Sequence, residues 1–274
     1  MNSEIKYNRL KQILSEIGGV VIGFSGGVDS TFLLKTAVDV LKDRAVGLIA
    51  ASPVYPDREI QTAVQLGNSI GARIRTIHIN LLSDAQYVEN PVNRCFFCKH
   101  TLYREMMRIA EEEGLPYIAD GTNVDDESDY RPGAEAQKYY NVRTPLKEAG
   151  LHKEEIRLLS QQVGLSTFNK VSNVCLASRI PYGSEITAEK LRMVEEAERF
   201  LQECGFSPVR VRHYGTLARI EVGADKLNAI IHKEMREAII KKCKEIGFIY
   251  VTVDLECFRS GSMNEVLQTK KNTI

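Results

Sequence analysis

The 274-residue chain has no tryptophan and no net formal charge, its 36 Lys and Arg being matched by 36 Asp and Glu. Proteins built to grip nucleic acid usually carry an excess of basic charge, so this balance argues against such a surface as the main feature, leaving room only for local basic patches. Long hydrophobic runs are missing too. None approaches the roughly 20 apolar residues that cross a bilayer. The first residues carry Glu4, Lys6, Arg9 and Lys11 among apolar ones, unlike a signal peptide. There is no internal repeat and no low-complexity tract. A hydrophobic content of 43% with 26% charged residues fits an ordinary soluble protein, and a cytoplasmic one is expected. The chain is long enough for one large domain or two modest ones.

What is present first is alternation. Ile5, Leu10, Ile13, Leu14 and Ile17 recur as one helical face. Short apolar runs at 20–24, 45–50, 73–79 and 117–119 read as strands, and residues 30–42, 57–70, 100–113 and 152–163 read as helices. Strand and helix in turn predict an α/β fold, a doubly wound and mostly parallel sheet covered on both faces. Beyond about residue 165 the pattern changes. A loop-like stretch, 166–183, precedes a helix at 187–203. Two alternating runs, Val209–His213 and Leu217–Val222, flank the turn Tyr214-Gly215-Thr216. A helix over 225–245, open to a break near His232, and a strand at 248–253 complete a smaller α+β domain. The expected division is 1–165 and 166–274, with a polar tail from about Asn264.

The most informative stretch is Phe24-Ser25-Gly26-Gly27-Val28-Asp29-Ser30, between the first strand and a helix. A glycine-rich turn there exposes successive backbone N–H groups at a helix N-terminus, where the free donors and the helix dipole both favour an anion. Gly26 and Gly27 let the backbone approach a ligand, and Ser25 and Ser30 add hydroxyls. A simple tight turn would need only the glycines. No Gly-Lys-Ser/Thr follows, so this is not a Walker loop. It resembles the PP-loop of the ATP pyrophosphatases, which implies cleavage of ATP to AMP and pyrophosphate.

Six cysteines are present, and in a cytoplasmic chain they suit core, metal or catalytic roles better than a disulfide framework. Cys204, Cys243 and Cys257 sit in helix or strand patterns and read as small apolar fillers. Cys95 and Cys98 form a C-x-x-C ahead of a helix, and Cys175 lies in a loop. Three readings of these compete: two ligands of a zinc site, with His100 as a further candidate; a redox disulfide; or three ligands of a 4Fe–4S cluster with one open iron. Unrelated loop thiols are the plain alternative.

Several segments together resemble the LarE family of ATP-dependent sulfur transferases. They are Ser25–Ser30, Asp120-Gly121-Thr122-Asn123, Asp129-Tyr130-Arg131-Pro132-Gly133, Cys175-Leu176-Ala177-Ser178-Arg179-Ile180-Pro181-Tyr182-Gly183, Val209-Arg210-Val211-Arg212 and Phe258-Arg259-Ser260-Gly261. The resemblance covers nearly the whole chain. It implies adenylation of a carboxylate of pyridinium-3,5-biscarboxylic acid mononucleotide, attack by a cysteine-held sulfur, and release of AMP. The thiocarboxylate product serves nickel-pincer cofactor synthesis. In the single-cysteine members the counterpart of Cys175 gives up its own sulfur. This chain adds Cys95 and Cys98, which points to the three-cysteine subgroup, where an iron–sulfur cluster carries the sulfur.

The resemblance implies Cys175 and Asp29 as catalytic residues, with Asp29 holding Mg²⁺. It implies ATP contacts from Ser25, Gly26, Gly27, Asp29, Ser30, Ala51, Ser52, Gly121, Asn123 and Arg131. Substrate contacts are expected from Ser178, Arg179, Glu198, Arg210, Arg212 and Arg259, with Glu198 open to a role across a subunit boundary. Arg210 and Arg212 share one strand face, since alternate residues point the same way, and a solvated edge is the plain alternative. Asp125, Asp126, Glu127 and Asp129 read as solvated loop charges. The expected partners are the anionic pyridinium mononucleotide, a sulfide source and further copies of the chain, with no membrane and no nucleic acid. A tRNA thiolase shares the loop and cysteines but must hold RNA through many Lys and Arg. A non-catalytic nucleotide-binding module is the third reading.

Overall fold

A computed structural model describes residues 2–127, 133–170 and 175–269. In chain order its elements are α1 (Ser3–Ile17), β1 (Val20–Gly23), α2 (Val28–Leu41), β2 (Ala45–Ala51), α3 (Asp57–Ser69), β3 (Arg73–His78), α4 (Ala85–Val88), α5 (Arg94–Glu112) and β4 (Tyr117–Ala119). There follow α6 (Gly133–Tyr139), α7 (Pro145–Glu148), α8 (Lys153–Gln162), α9 (Ala188–Glu203), β5 (Val209–Tyr214), β6 (Leu217–Val222), α10 (Leu227–Ile231), α11 (Lys233–Ile246), β7 (Tyr250–Val253) and α12 (Glu265–Thr269). Two compact units form. One takes the described residues of Met1–Leu81 and Val92–Asn173, the other those of Leu82–Pro91 and Val174–Ile274. Among the described residues no helix is long and apolar enough to cross a membrane.

The first unit is an α/β layer structure. Its sheet has the order β3-β2-β1-β4, with every neighbouring pair parallel. Strand period 2 sends Val20 and Ile22 to one face and Val21 to the other. Val20 and Ile22 join Phe32, Leu33 and Leu34 of α2, Leu10 and Leu14 of α1, and Ile156 and Leu159 of α8. Val21, Val46, Leu48 and Ile118 pack on Tyr103, Met106 and Ile109 of α5 and Ala136 of α6. Each fully buried side chain of this kind contributes about 1.5–3 kcal/mol, so covering both faces is what makes short, apolar, parallel strands stable. The central strand β1 therefore ends, at its carboxyl edge, in the middle of the layer. In an open parallel sheet that edge is where ligands bind.

The second unit contains a sheet of order β5-β6-β7. β5 and β6 are an antiparallel hairpin, and β7 returns parallel to β6. The crossover is helical and breaks at His232, which caps α10 and starts α11. Val211, Ala218, Ile220 and Phe248 form its core with Ala197 and Leu201 of α9 and Ile239 of α11.

Candidate active site

The turn after β1 is fixed by its own side chains. Gly26 has φ +66°, and a Cβ there would lie 3.0 Å from the Cβ of Ala63 on α3. Only glycine meets both constraints without strain. Gly27 is the N-cap of α2 and supplies no capping side chain, so the first-turn amides keep no acceptor inside the helix. Ser30 Oγ donates to the Gly27 carbonyl at 3.3 Å, accepts the Ser25 amide at 3.3 Å, and lies 3.2 Å from Ser25 Oγ. The serines thus brace the loop, in addition to the hydroxyls they present.

Asp29, in the first turn of α2, is held from both sides. Asn123 Nδ2 donates to its Oδ1 at 3.3 Å, and Lys153 forms an ion pair with its Oδ2. Lys153 opens α8, and its backbone amide donates to Asp125 Oδ2 at 2.6 Å. The same carboxylate takes His152 Nδ1 at 2.8 Å, and these contacts hold the Asp125 acid below its ordinary range. Asp126 accepts the Asn123 amide at 3.0 Å. Asp125 is exposed, as a solvated loop charge is expected to be, and both acids also hold backbone amides. Asp125 orders the start of α8 and Asp126 the turn at Asn123, because local carboxylates satisfy amides that a helix start leaves open. Asp129 and Arg131 lie outside the described residues.

Three more groups surround the loop. Lys170 Nζ donates to the Gly26 carbonyl at 3.2 Å and to Glu59 at 2.9 Å. A Cβ on Gly121 would sit 2.9 Å from the Ser30 amide nitrogen, so this glycine lets the chain leaving β4 touch the start of α2. Ala51 ends β2, and Ser52 beside it is 6% exposed with an Oγ that bonds nothing among the described residues. A buried hydroxyl without a partner is costly, and a ligand at this sheet edge would satisfy it.

Asp120, which ends the β4 segment, is the electrostatic anchor. It accepts Tyr103 Oη at 2.6 Å, Lys99 Nζ at 3.2 Å, the Thr122 amide at 3.1 Å and Gln137 Nε2 at 2.9 Å. Burial alone would raise its acid. Lys99 and the three other donors outweigh that and hold it down at about 2. The Lys99 ammonium is raised in return by its charged and hydrogen-bonded neighbours, against the pull of burial.

Lys99 directly follows the C-x-x-C pair. The structure corrects the expectation that this pair lies ahead of the helix. α5 begins at Arg94, so Cys95 and Cys98 occupy its opening turns, one turn apart on one face. The turn signals Pro91 and Asn93 precede the helix, and Asn93 is its N-cap. Cys95 is exposed, and Cys98 Sγ lies 3.7 Å from Tyr55 Oη. All six cysteines are thiols. Cys175 belongs to the second unit, immediately before the 3-10 turn Leu176–Arg179. Among the described residues no three His, Cys, Asp or Glu side chains are grouped so as to hold a metal ion.

Most of the expected substrate residues converge within the second unit. Arg179, 2% exposed, makes a two-pronged pair with Glu198 at 2.8 and 3.0 Å, and also donates to Ser178 Oγ at 2.9 Å and the Cys175 carbonyl at 3.2 Å. Glu198 Oε1 also accepts the Val211 amide at 3.0 Å. Its pairing with Arg179 is thus made within one chain. Arg212 forks onto Glu221 at 3.0 and 2.6 Å and reaches the Ser178 carbonyl at 3.3 Å. Arg210 lies over the Phe258 ring, 5.2 Å from its centroid. Burial pulls its guanidinium down to about 10, with Arg179 and Arg212 adding to the effect. A solvated edge is therefore ruled out, since Arg210 and Arg212 are each 5% exposed. Arg259 stands apart at the surface with Glu256 and Glu265. Asp254 links it to Arg219, which also pairs with Glu221. Arg179, Arg210 and Arg212 thus lie close to one another and to the carboxylates Glu198 and Glu221.

Comparison with known proteins decides the family. The NAD synthase family model matches residues 4–93, which span the loop and the first three strands. An uncharacterised protein of Synechocystis is 40% identical over 96% of this chain and 98% of its own length. The pyridinium-3,5-bisthiocarboxylic acid mononucleotide synthase of Lactiplantibacillus plantarum is 35% identical over 93% of this chain and 92% of its own. The chain belongs to the LarE family of ATP-dependent sulfur transferases. An uncharacterised protein of Methanocaldococcus jannaschii, 29% identical over 88% of this chain, is a further relative.

Four residues escape a reading of the sequence: Lys153 and Lys170 beside the loop of the first unit, and Glu221 and Ser262 among the arginines of the second. The lysines are ordinary surface residues by pattern, and their partners are more than a hundred positions away. Glu221 carried a usable signal. Once the hairpin turn is set, it pairs in register with Arg210, and Arg219 with Arg212, so four charges share one face of two strands. Ser262 Oγ donates to Glu221 at 3.0 Å and accepts from Arg212 at 3.0 Å, a closure only the fold supplies.

Proposed function

We propose that this chain activates a carboxylate of pyridinium-3,5-biscarboxylic acid mononucleotide with ATP and replaces an oxygen with sulfur, as the synthase name of its Lactiplantibacillus relative suggests. The carboxylate oxygen attacks the α-phosphorus and pyrophosphate leaves. Sulfur then attacks the acyl carbon and AMP leaves. The loop amides at the start of α2 receive the departing pyrophosphate charge. The observation that carries the reading is the loop Ser25–Ser30, braced by its serines at the carboxyl edge of β1, in a chain related to that synthase over nearly its full length.

In the finer reading, Ser25, Gly26, Gly27, Ser30, Ala51, Ser52, Gly121, Asn123 and Arg131 contact ATP. Asp29, an oxygen donor beside the loop, fits a hard cation once Lys153 moves aside, and Mg²⁺ there would neutralise phosphate charge. Ser178, Arg179, Glu198, Arg210, Arg212 and Arg259 serve the substrate. Guanidinium forks match phosphate and carboxylate groups and stay charged, which supports an anionic ligand. Cys95 and Cys98, thiols one turn apart, suit two ligands of an iron–sulfur cluster, with Cys175 as the third. A bound 4Fe–4S cluster would supply transferable sulfide. A homo-oligomer and an external sulfide source complete the proposal.

The test is anaerobic incubation of iron-reconstituted protein with ATP, the mononucleotide and sulfide. AMP, pyrophosphate and a product in which oxygen is exchanged for sulfur are expected by mass spectrometry, all lost in Asp29→Ala. Formation of ADP, or of AMP without any sulfur-containing product, would refute the assignment.

A further inference from the structure

The loop has no lysine of its own, although it is built to face a polyanion. The fold delivers one from elsewhere. Lys153 stands at the first position of α8, where the Asp125 carboxylate holds its backbone amide and that of His152 is held by Glu155 at 2.9 Å. Its base is therefore fixed while its side chain extends to Asp29. The Lys153 side chain keeps 34% of its surface exposed and that of Asp29 22%, so the pair is open to solvent on one side. Asp29 carries a negative charge into the first turn of the same helix whose amides would take the phosphates. Unneutralised, that carboxylate would repel ATP. A pair this exposed adds little to the fold, and it can be exchanged cheaply.

We propose that Lys153 is a phosphate-binding residue of the ATP site, stored on Asp29 until nucleotide arrives. When ATP enters, the ammonium swings from the Asp29 carboxylate to a phosphate oxygen, and Asp29 becomes available to a cation that accompanies the nucleotide. The flexible lysine stem and its compact charge suit such a transfer, whereas a bidentate arginine would hold the carboxylate more firmly. Asn123 stays on the other oxygen of Asp29 and keeps the carboxylate in place during the exchange. Lys170, locked between Glu59 and the Gly26 carbonyl, is a different kind of group: it sets the loop peptide. The inference rests on the reading of the loop as the ATP site.

The two members of one ion pair should then act in opposite directions. Binding of ATP is measured by titration calorimetry on the full chain, in EDTA and in Mg²⁺. Lys153→Met should weaken ATP binding at least ten-fold in EDTA, and Lys153→Arg should retain most of it. Asp29→Asn frees the lysine and removes the repulsion, so its affinity in EDTA should equal or exceed that of the unaltered protein. If both neutralising variants weaken binding alike, or if Lys153→Met lowers only the melting temperature, the pair is a strut and the inference is overturned. If Lys153→Met does not fold, a fall in the EDTA affinity of Asp29→Asn by itself overturns it, and an unchanged or higher one supports it. Failure of the unaltered protein to bind ATP would instead defeat the ATP-site reading on which the inference stands.

Discussion

Replacing Glu221 by glutamine should be among the most damaging single changes in the second unit. This carboxylate is fully buried and accepts four hydrogen bonds: two from Arg212 at 3.0 and 2.6 Å, one from Arg219 at 3.0 Å and one from Ser262 at 3.0 Å. Glutamine has the same shape but only one acceptor oxygen, and it turns an NH₂ group toward a guanidinium. The charge of Arg212, whose side chain is 6% exposed, is then left without its main counter-ion. Breaking a buried pair by removing one partner costs about 3–5 kcal/mol, mostly the penalty of an uncompensated charge. The chain has no tryptophan, so hydrogen exchange followed by mass spectrometry is the better assay. Protection in β5 and β6 peptides should fall by that amount, while peptides from β1 and β2 serve as internal reference. Converting the pair together, Arg212→Met with Glu221→Leu, should recover most of the loss, because both charges leave the interior. A Glu221→Gln protein within about 0.5 kcal/mol of the parent in β5 and β6 would refute the argument.

Gly121→Ala should push the start of α2 away from β4, since the new Cβ meets the Ser30 amide; a stability loss of about 1–3 kcal/mol and a larger fall in AMP formation are expected in denaturation and turnover assays. The Asp120 acid is depressed to about 2, below its unfolded value of 3.8, so its contribution of about 2 kcal/mol is present above pH 4 and disappears as pH falls toward 2. Acid titration of Asp120→Asn should therefore show a shallower loss of stability across that window than the parent, and equal slopes would contradict it. Anaerobic reconstitution should yield protein-bound iron and acid-labile sulfide that fall together in Cys95→Ser, Cys98→Ser and Cys175→Ser; zinc in place of iron, or a Cys175 lighter by H₂S after one turnover, would count against the cluster.

The loop after β1 was legible residue by residue because its chemistry is local. Glycines at a strand–helix turn, serines that brace it and an acid in the first helical turn lie within six positions of one another. Strand and helix order followed from periodicity for the same reason, including the hairpin of β5 and β6 and the helix break at His232. Helix starts were less legible. α5 takes in Cys95 and Cys98 because its N-terminal residues gain from packing and from tertiary partners such as Tyr55, which outweigh the weak helix preference of Cys and Phe. The charges were least legible of all. In the sequence Arg210 and Arg212 alternate like a solvated strand face, and Asp125 reads like any surface acid. Burial and partnership decide what such a group does, and both are long-range: Lys153 meets Asp29 from 124 positions away, and Ser262 closes on Glu221 from 41. A side chain's charge is written in the chain, but its counter-ion and its distance from water exist only once the chain has folded.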